Sequence, residues 1–333
     1  MGSPSSEFPD FPVPAEAYRP DTAYYAPAPR LAQAEREPAR RYAIYLGLFL
    51  LTALSTTWMG GYHYLGFRLD YSNAPIATTT TQFLLGGLWY SVSILAILGA
   101  HEFGHYFACR YYGVNASLPY FLPVPLLTGT LGAFIRIRQP IASKRELFDI
   151  GIAGPIAGFL VAVPALFIGM GMSHIVKVPP DFEGLNLGEP LLFKIVSRLV
   201  LGTPPDGYSI NMHPMAFAAW FGMLATALNL FPIGQLDGGH ISYAVLGRRS
   251  TAVTMVMVTC LVGLTVFAST SWLVWTVLTV GMLWVFGPHH PRTFDEHEPL
   301  DRTRMWLALF ALIMFVLCFT PTPIEPIELI KGH

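Results

Sequence analysis

The apolar run from about Phe83 to Tyr111 is long enough to cross a bilayer, yet it contains His101, Glu102 and His105. Ionisable groups at that depth must find partners within the protein, because hydrocarbon offers none. The residues read His101-Glu102-Phe103-Gly104-His105. Positions four apart on a helix share a face, so the two imidazoles lie one above the other. Imidazoles so placed can share one metal ion, and Zn²⁺ is the usual guest. Glu102 stands beside the first imidazole, where it can take a proton from an attacking water without ligating the metal. The pair is incomplete, since such a zinc site needs a third protein ligand and an open position.

Composition sets the class. The chain is 53% hydrophobic and 12% charged, against about 25% charged in soluble domains. We expect an all-α polytopic membrane protein with roughly six to seven transmembrane helices. A net charge of −1 gives no footing for nucleic acid. Cys109, Cys260 and Cys318 form no C-x-x-C pair, so neither a disulfide framework nor a thiolate metal site is indicated.

Residues 1–41 are rich in Pro, Ala and Tyr without helical or strand period, and read as a disordered tail. Arg36, Arg40 and Arg41 precede a first span, Tyr42 to Met59, and place the N-terminus in the cytoplasm. Gly60 to Thr81 reads as a polar loop on the far side, and the second span carries the paired histidines inward. Between spans two and three, Pro119, Pro123, Pro125, Gly129 and Gly132 interrupt an apolar stretch, and Ile135 to Arg138 alternates apolar with basic. That pattern predicts a small membrane-associated β hairpin, tolerated at depth only against protein or a cavity. Lys144 and Arg145 mark the cytoplasmic end of a third span, Leu147 to Met172, with Asp149 read as its N-terminal cap. Gly151, Gly154 and Gly158 recur on one face of that span and suit close helix packing.

Ser173 to Asn211 reads as a polar external loop. A fourth span from Pro214 then breaks at Asn229-Leu230-Phe231-Pro232-Ile233-Gly234-Gln235-Leu236-Asp237. Two polar residues beside Pro and Gly breakers mean irregular backbone around a cavity. Asp237 is the natural third ligand; His240 and His213 are its competitors. Arg248 and Arg249 return to the cytoplasmic side, and two further spans follow, Ala252–Ser269 and Trp272–Phe286. The charged stretch containing His289, His290, Asp295, Glu296, His297 and Glu298 reads as a solvated cytoplasmic loop. A last span, Met305–Phe319, leaves a short tail from residue 321 on the outside.

Three segments together, His101-Glu102-Phe103-Gly104-His105, Gly154-Pro155-Ile156-Ala157-Gly158 and Asn229-Leu230-Phe231-Pro232 with Leu236-Asp237-Gly238-Gly239-His240, resemble the site-2 protease family of intramembrane zinc metalloproteases. The resemblance spans residues 42–250, without room for a PDZ insertion, and leaves 251–320 as additional helices. It implies one zinc per chain on His101, His105 and Asp237, with Glu102 as catalytic base. It also implies that Asn229 and the strand containing Gly129, Leu131, Gly132 and Ala133 hold the substrate backbone. The expected substrate is a transmembrane protein, already cut by another protease, within the bilayer of a bacterial inner membrane or its equivalent. Two rival readings are a proteolytically inactive, chaperone-like relative and a zinc transporter. The second would need a polar path across the membrane, and the polar residues cluster near one depth.

Overall fold

The computed structural model describes residues 38–72, 76–179 and 184–326. The expected N-terminal tail lies outside them up to residue 37, as does the end of the C-terminal tail from 327.

Helices α1 (Ala39–Leu69) and α2 (Thr80–Tyr111) pack side by side. A capping box opens α2, with the Gln82 N–H on Thr79 Oγ1 and the Thr79 N–H on Gln82 Oε1. The sequence predicts a break at Gly60, yet α1 continues to Leu69. Gly60 and Gly61 are contact points rather than breakers. A Cβ on Gly60 would overlap the Gly87 carbonyl, and one on Gly87 would overlap the Thr57 carbonyl. The missing side chains bring the two backbones together, as between membrane helices. Thr56 and Ser91 share a hydroxyl hydrogen bond of 2.7 Å across the same seam.

Strands β1 (Tyr120–Pro123) and β2 (Thr130–Phe134) form an antiparallel hairpin between α2 and the next helix, with Phe121 opposite Ala133 and Leu122 opposite Gly132. The predicted strand reached Arg138, but β2 stops at Phe134, and Ile137 joins only a single bridge to Ala116. Beyond Phe134 the pairing is irregular: Arg136 donates its N–H to Ser117 Oγ at 2.9 Å and accepts the Ser117 N–H at 3.0 Å, and Arg138 donates its N–H to the Asn115 carbonyl at 2.9 Å. Three successive carbonyls at the hairpin tip are held by side chains of the two helices. Leu127 accepts from His63 Nε2 at 2.9 Å, Thr128 from the Tyr90 hydroxyl at 2.8 Å, and Gly129 from Ser55 Oγ at 2.6 Å.

Helix α3 (Lys144–Gly171) begins at Ser143, whose hydroxyl accepts the Arg145 N–H. Asp149 is therefore not the cap the sequence suggested. It sits beyond the first turn, where it accepts two bonds from Arg304, at 2.9 and 2.5 Å, and the Tyr112 hydroxyl. The residues read as a polar external loop contain β3 (His174–Lys177), β4 (Leu185–Leu187), α4 (Leu191–Val200) and β5 (Tyr208–Asn211), with β3 and β5 antiparallel. Helix α5 (Pro214–Leu230) follows, and α6 (Asp237–Leu246) resumes after an irregular stretch. Then come α7 (Ser250–Phe267), α8 (Leu273–Phe286), α9 (Arg302–Cys318) and β6 (Ile324–Pro326), which pairs with β4.

Among the described residues, four helical stretches are long and apolar enough to cross a membrane: α1, α2, α3 and the run Asp237–Phe267. The last turns back at the 3₁₀ turn Gly247–Arg249, because Thr254 on α7 returns to bond Gly234 and Pro232. The core lies where α2, α3 and α5 meet, around Ile94, Leu166, Trp220 and Met223. The segment 287–301, expected to be solvated, is bound to the α3 N-terminus. Asp295 accepts the Lys144 N–H at 2.8 Å and the Ser143 hydroxyl at 2.9 Å, and the buried Lys144 Nζ donates to the Glu296 and Glu298 carbonyls.

Overpacking a tight contact costs about 1–3 kcal/mol. Gly87→Val should therefore separate α1 from α2 and lower the apparent melting temperature of detergent-purified protein. Gly47→Val, with nothing within 4 Å of its Cβ position, should leave it unchanged.

Candidate metal centre

Helix α2 holds the His101 and His105 rings 4.9 Å apart between centroids, both almost fully buried. The carboxylate that meets them comes from Asp237, the first residue of α6, after an extended Leu236 turns the chain back into helix. Asp237 Oδ2 lies 3.2 Å from His101 Nε2 and 3.3 Å from His105 Nε2, and the two Nε2 atoms are 3.2 Å apart. Ligands about 2.0–2.1 Å from a tetrahedral Zn²⁺ stand about 3.3 Å from one another, so this triangle has the size of such a site.

The protonation of His105 points the same way. Its Nδ1 is 2.7 Å from the Ile150 carbonyl, which can only accept, so Nδ1 carries the hydrogen. Nε2 is then the ring atom that faces His101 and Asp237, and in the neutral ring it presents a lone pair there. A carbonyl behind a ligating imidazole is the usual way its tautomer is fixed. Three acceptors aimed at one point fit a cation, and the donor set of two nitrogens and one oxygen suits a divalent metal.

Glu102 is also buried but stays outside this triangle. Its carboxylate accepts the backbone N–H of Ile135, just past β2. The Asn229 amide, in the last turn of α5, stands 3.3 Å from His101 Nε2. These groups open on a cleft of about 250 Å³, whose walls include Ala133 and Phe134 of the hairpin and Leu236 and His240 around α6.

The family model described as Peptidase family M50 matches residues 89–269, from within α2 to just beyond α7. The chain belongs to peptidase family M50, the site-2 protease family. Among curated relatives, it is 28% identical over 257 residues to "Probable zinc metalloprotease EGY2, chloroplastic" of Oryza sativa subsp. indica, covering 74% of this chain and 45% of that protein. It is 32% identical over 228 residues to "Probable zinc metalloprotease EGY1, chloroplastic" of Oryza sativa subsp. japonica, covering 62% and 38%. The Arabidopsis thaliana protein of that name is 29% identical over 301 residues, covering 84% and 53%. The chain thus spans about half the length of these relatives or less. No solved structure matches it.

Of the residues that the M50 resemblance singled out, His101, Glu102, His105, Asn229, Ala133 and Asp237 line one cleft. Gly129 does not; it sits in the hairpin turn against α1 at Thr56. Leu131, skipped in the pairing between Thr130 and Gly132, is an exposed bulge, and Gly132 pairs with Leu122. His213 caps α5 by accepting the Met215 N–H, and His240 bonds His290, so neither enters the ligand triangle. Sequence reasoning missed the two backbone partners, Ile135 and Ile150, which have no side-chain signature.

It also understated the glycines of α3. A Cβ at Gly154 would overlap the His105 ring, one at Gly158 would press on His101, and one at Gly151 on His240. The small face is the bed in which three imidazoles lie. Displacing groups that orient a metal ligand typically costs about 10–100-fold in affinity. Gly154→Ala should lose affinity on that scale in a zinc titration, whereas Gly171→Ala, with an open Cβ position, should not.

Proposed function

We propose that this chain is a zinc metalloendopeptidase that hydrolyses peptide bonds within or next to transmembrane segments of membrane proteins. The observation that carries this reading is the convergence of His101, His105 and Asp237 within 3.3 Å, with Glu102 beside them and outside the ligand set. The names of the M50 relatives, zinc metalloproteases, agree with it.

In this reading His101, His105 and Asp237 hold one zinc. Bound there, zinc supplies a Lewis acid that polarises the scissile carbonyl and acidifies the attacking water. Glu102 accepts a proton from that water at its carboxylate and hands it to the leaving amine nitrogen. The Ile135 N–H keeps the carboxylate turned to the cleft. A substrate helix must unwind before its carbonyl can be approached, and its freed backbone groups need partners in a dry site. The outer edge of β2, with β1 on its other side, offers them by strand addition. The Asn229 amide, both donor and acceptor, serves one more peptide group.

We further propose seven membrane crossings, with the N-terminus and the α2–α3 connection cytoplasmic and the C-terminus outside. Support comes from β6 pairing with β4, at the end of the bundle away from Lys144 and Arg145, and from the basic residues at the α1, α3 and α6 ends. The expected partner is a membrane-spanning substrate already cut by another protease.

Glu102→Gln should abolish cleavage of a single-span model substrate in proteoliposomes while retaining bound zinc. His101→Ala, His105→Ala and Asp237→Ala should lose both. If Asp237→Ala keeps zinc, the ligand assignment fails. For the docking edge, Leu131→Pro or Ala133→Pro should sharply reduce cleavage with zinc and fold intact. Normal cleavage by both would remove β2 from the role.

A further inference from the structure

His240, one turn beyond Asp237 on α6, belongs to the wall of the metal cleft but not to its ligand triangle. Its Nδ1 lies 2.7 Å from Nε2 of His290, which comes from the 287–301 segment. The His290 ring stacks on Tyr243, 4.4 Å between centroids, and borders a second cavity with Arg248, Arg292 and Glu296. The hydrogens on this pair follow from one carbonyl. His290 Nδ1 is 2.7 Å from the Pro291 oxygen, so Nδ1 is the donor. Burial lowers the His290 pKa from the ordinary imidazole value, which favours the neutral ring. Its Nε2 is then an acceptor, and His240 Nδ1 must donate to it. A neutral imidazole has one N–H, so His240 Nε2 bears a lone pair. No hydrogen bond is made by this atom among the described residues, and it is not among the sealed polar atoms.

An unfilled acceptor on a residue of the cleft wall calls for a donor. A metal centre that cuts peptides brings one in: an extended peptide along β2 satisfies its inner edge there, and its other edge faces α6. We propose that His240 contacts substrate, its Nε2 accepting a backbone N–H of the bound peptide, and that His290 is the positioning residue that sets its tautomer. The proposal rests on reading the site as a peptide-hydrolysing metal centre.

The test uses the purified full chain with zinc and two probes. A dansylated peptide hydroxamate takes the metal and lays amides along the cleft, whereas acetohydroxamate takes the metal alone. One neutral hydrogen bond corresponds to about 2–10-fold in affinity. His240→Ala should weaken the peptide hydroxamate by about that factor, leaving acetohydroxamate affinity and zinc content unchanged. N-methylating the one amide that meets His240 should weaken binding to wild type and not weaken it further in the variant. His290→Gln, which keeps an acceptor, should bind more nearly like wild type than His290→Ala. ¹⁵N-histidine spectra should show His240 protonated at Nδ1 in wild type and not fixed so in His290→Ala. The proposal is overturned if His240→Ala binds both probes as wild type does, or if the wild-type ring is protonated at Nε2. If wild type binds neither hydroxamate, the metal-centre reading falls and takes this one with it.

Discussion

Two imidazole nitrogens and a carboxylate oxygen face one another at little more than 3 Å in the interior of the bundle. Lone pairs so crowded repel unless a metal ion or a proton sits among them, and their burial leaves little solvent to screen them. The fold is built around that requirement. Helix α2 delivers two groups on one face, the glycine face of α3 gives the rings room, and the break before α6 brings the carboxylate around. The break is itself tied. Ile233 donates to the Phe231 carbonyl and Leu236 to that of Ile233, while the Thr254 hydroxyl accepts from Gly234 and donates to Pro232. Irregular backbone among apolar helices persists because its polar groups are met.

Legibility in the sequence follows range. His101, Glu102 and His105 announced themselves because their signal is five residues long and its two histidines fall on one helical face. Asp237 was legible through its breakers, since Pro232 and Gly234 beside a carboxylate in an apolar stretch have few other readings. What failed depended on partners far along the chain. Gly60 read as a helix end because nothing local says that Gly87 packs against it. Asp149 read as a cap because Arg304 lies 155 residues away. The extent of β2 was overestimated because alternation continues past Phe134 while the pairing turns irregular at Ser117.

The helices beyond residue 250 belong to the same packing. Phe231, at the break before the metal ligand, is surrounded by Trp272, Phe315 and Phe319. The Trp272 indole donates to the Pro321 carbonyl, which ties the turn before α8 to the end of α9. Aromatic edges against faces hold better geometry than aliphatic contact alone, and here they steady the residue that starts the break.

Asp295 carries a consequence for how the protein is made. The first N–H of α3, the helix that beds the imidazoles, is met by a carboxylate 151 residues further along the chain. A ribosome that has released α2, α3 and α6 has already released His101, His105 and Asp237. The clasp on α3, and the His290 that faces His240, emerge only after α8. During synthesis the reactive groups therefore precede the parts that align them. An immature chain carries an unfinished centre until the segment after α8 has emerged.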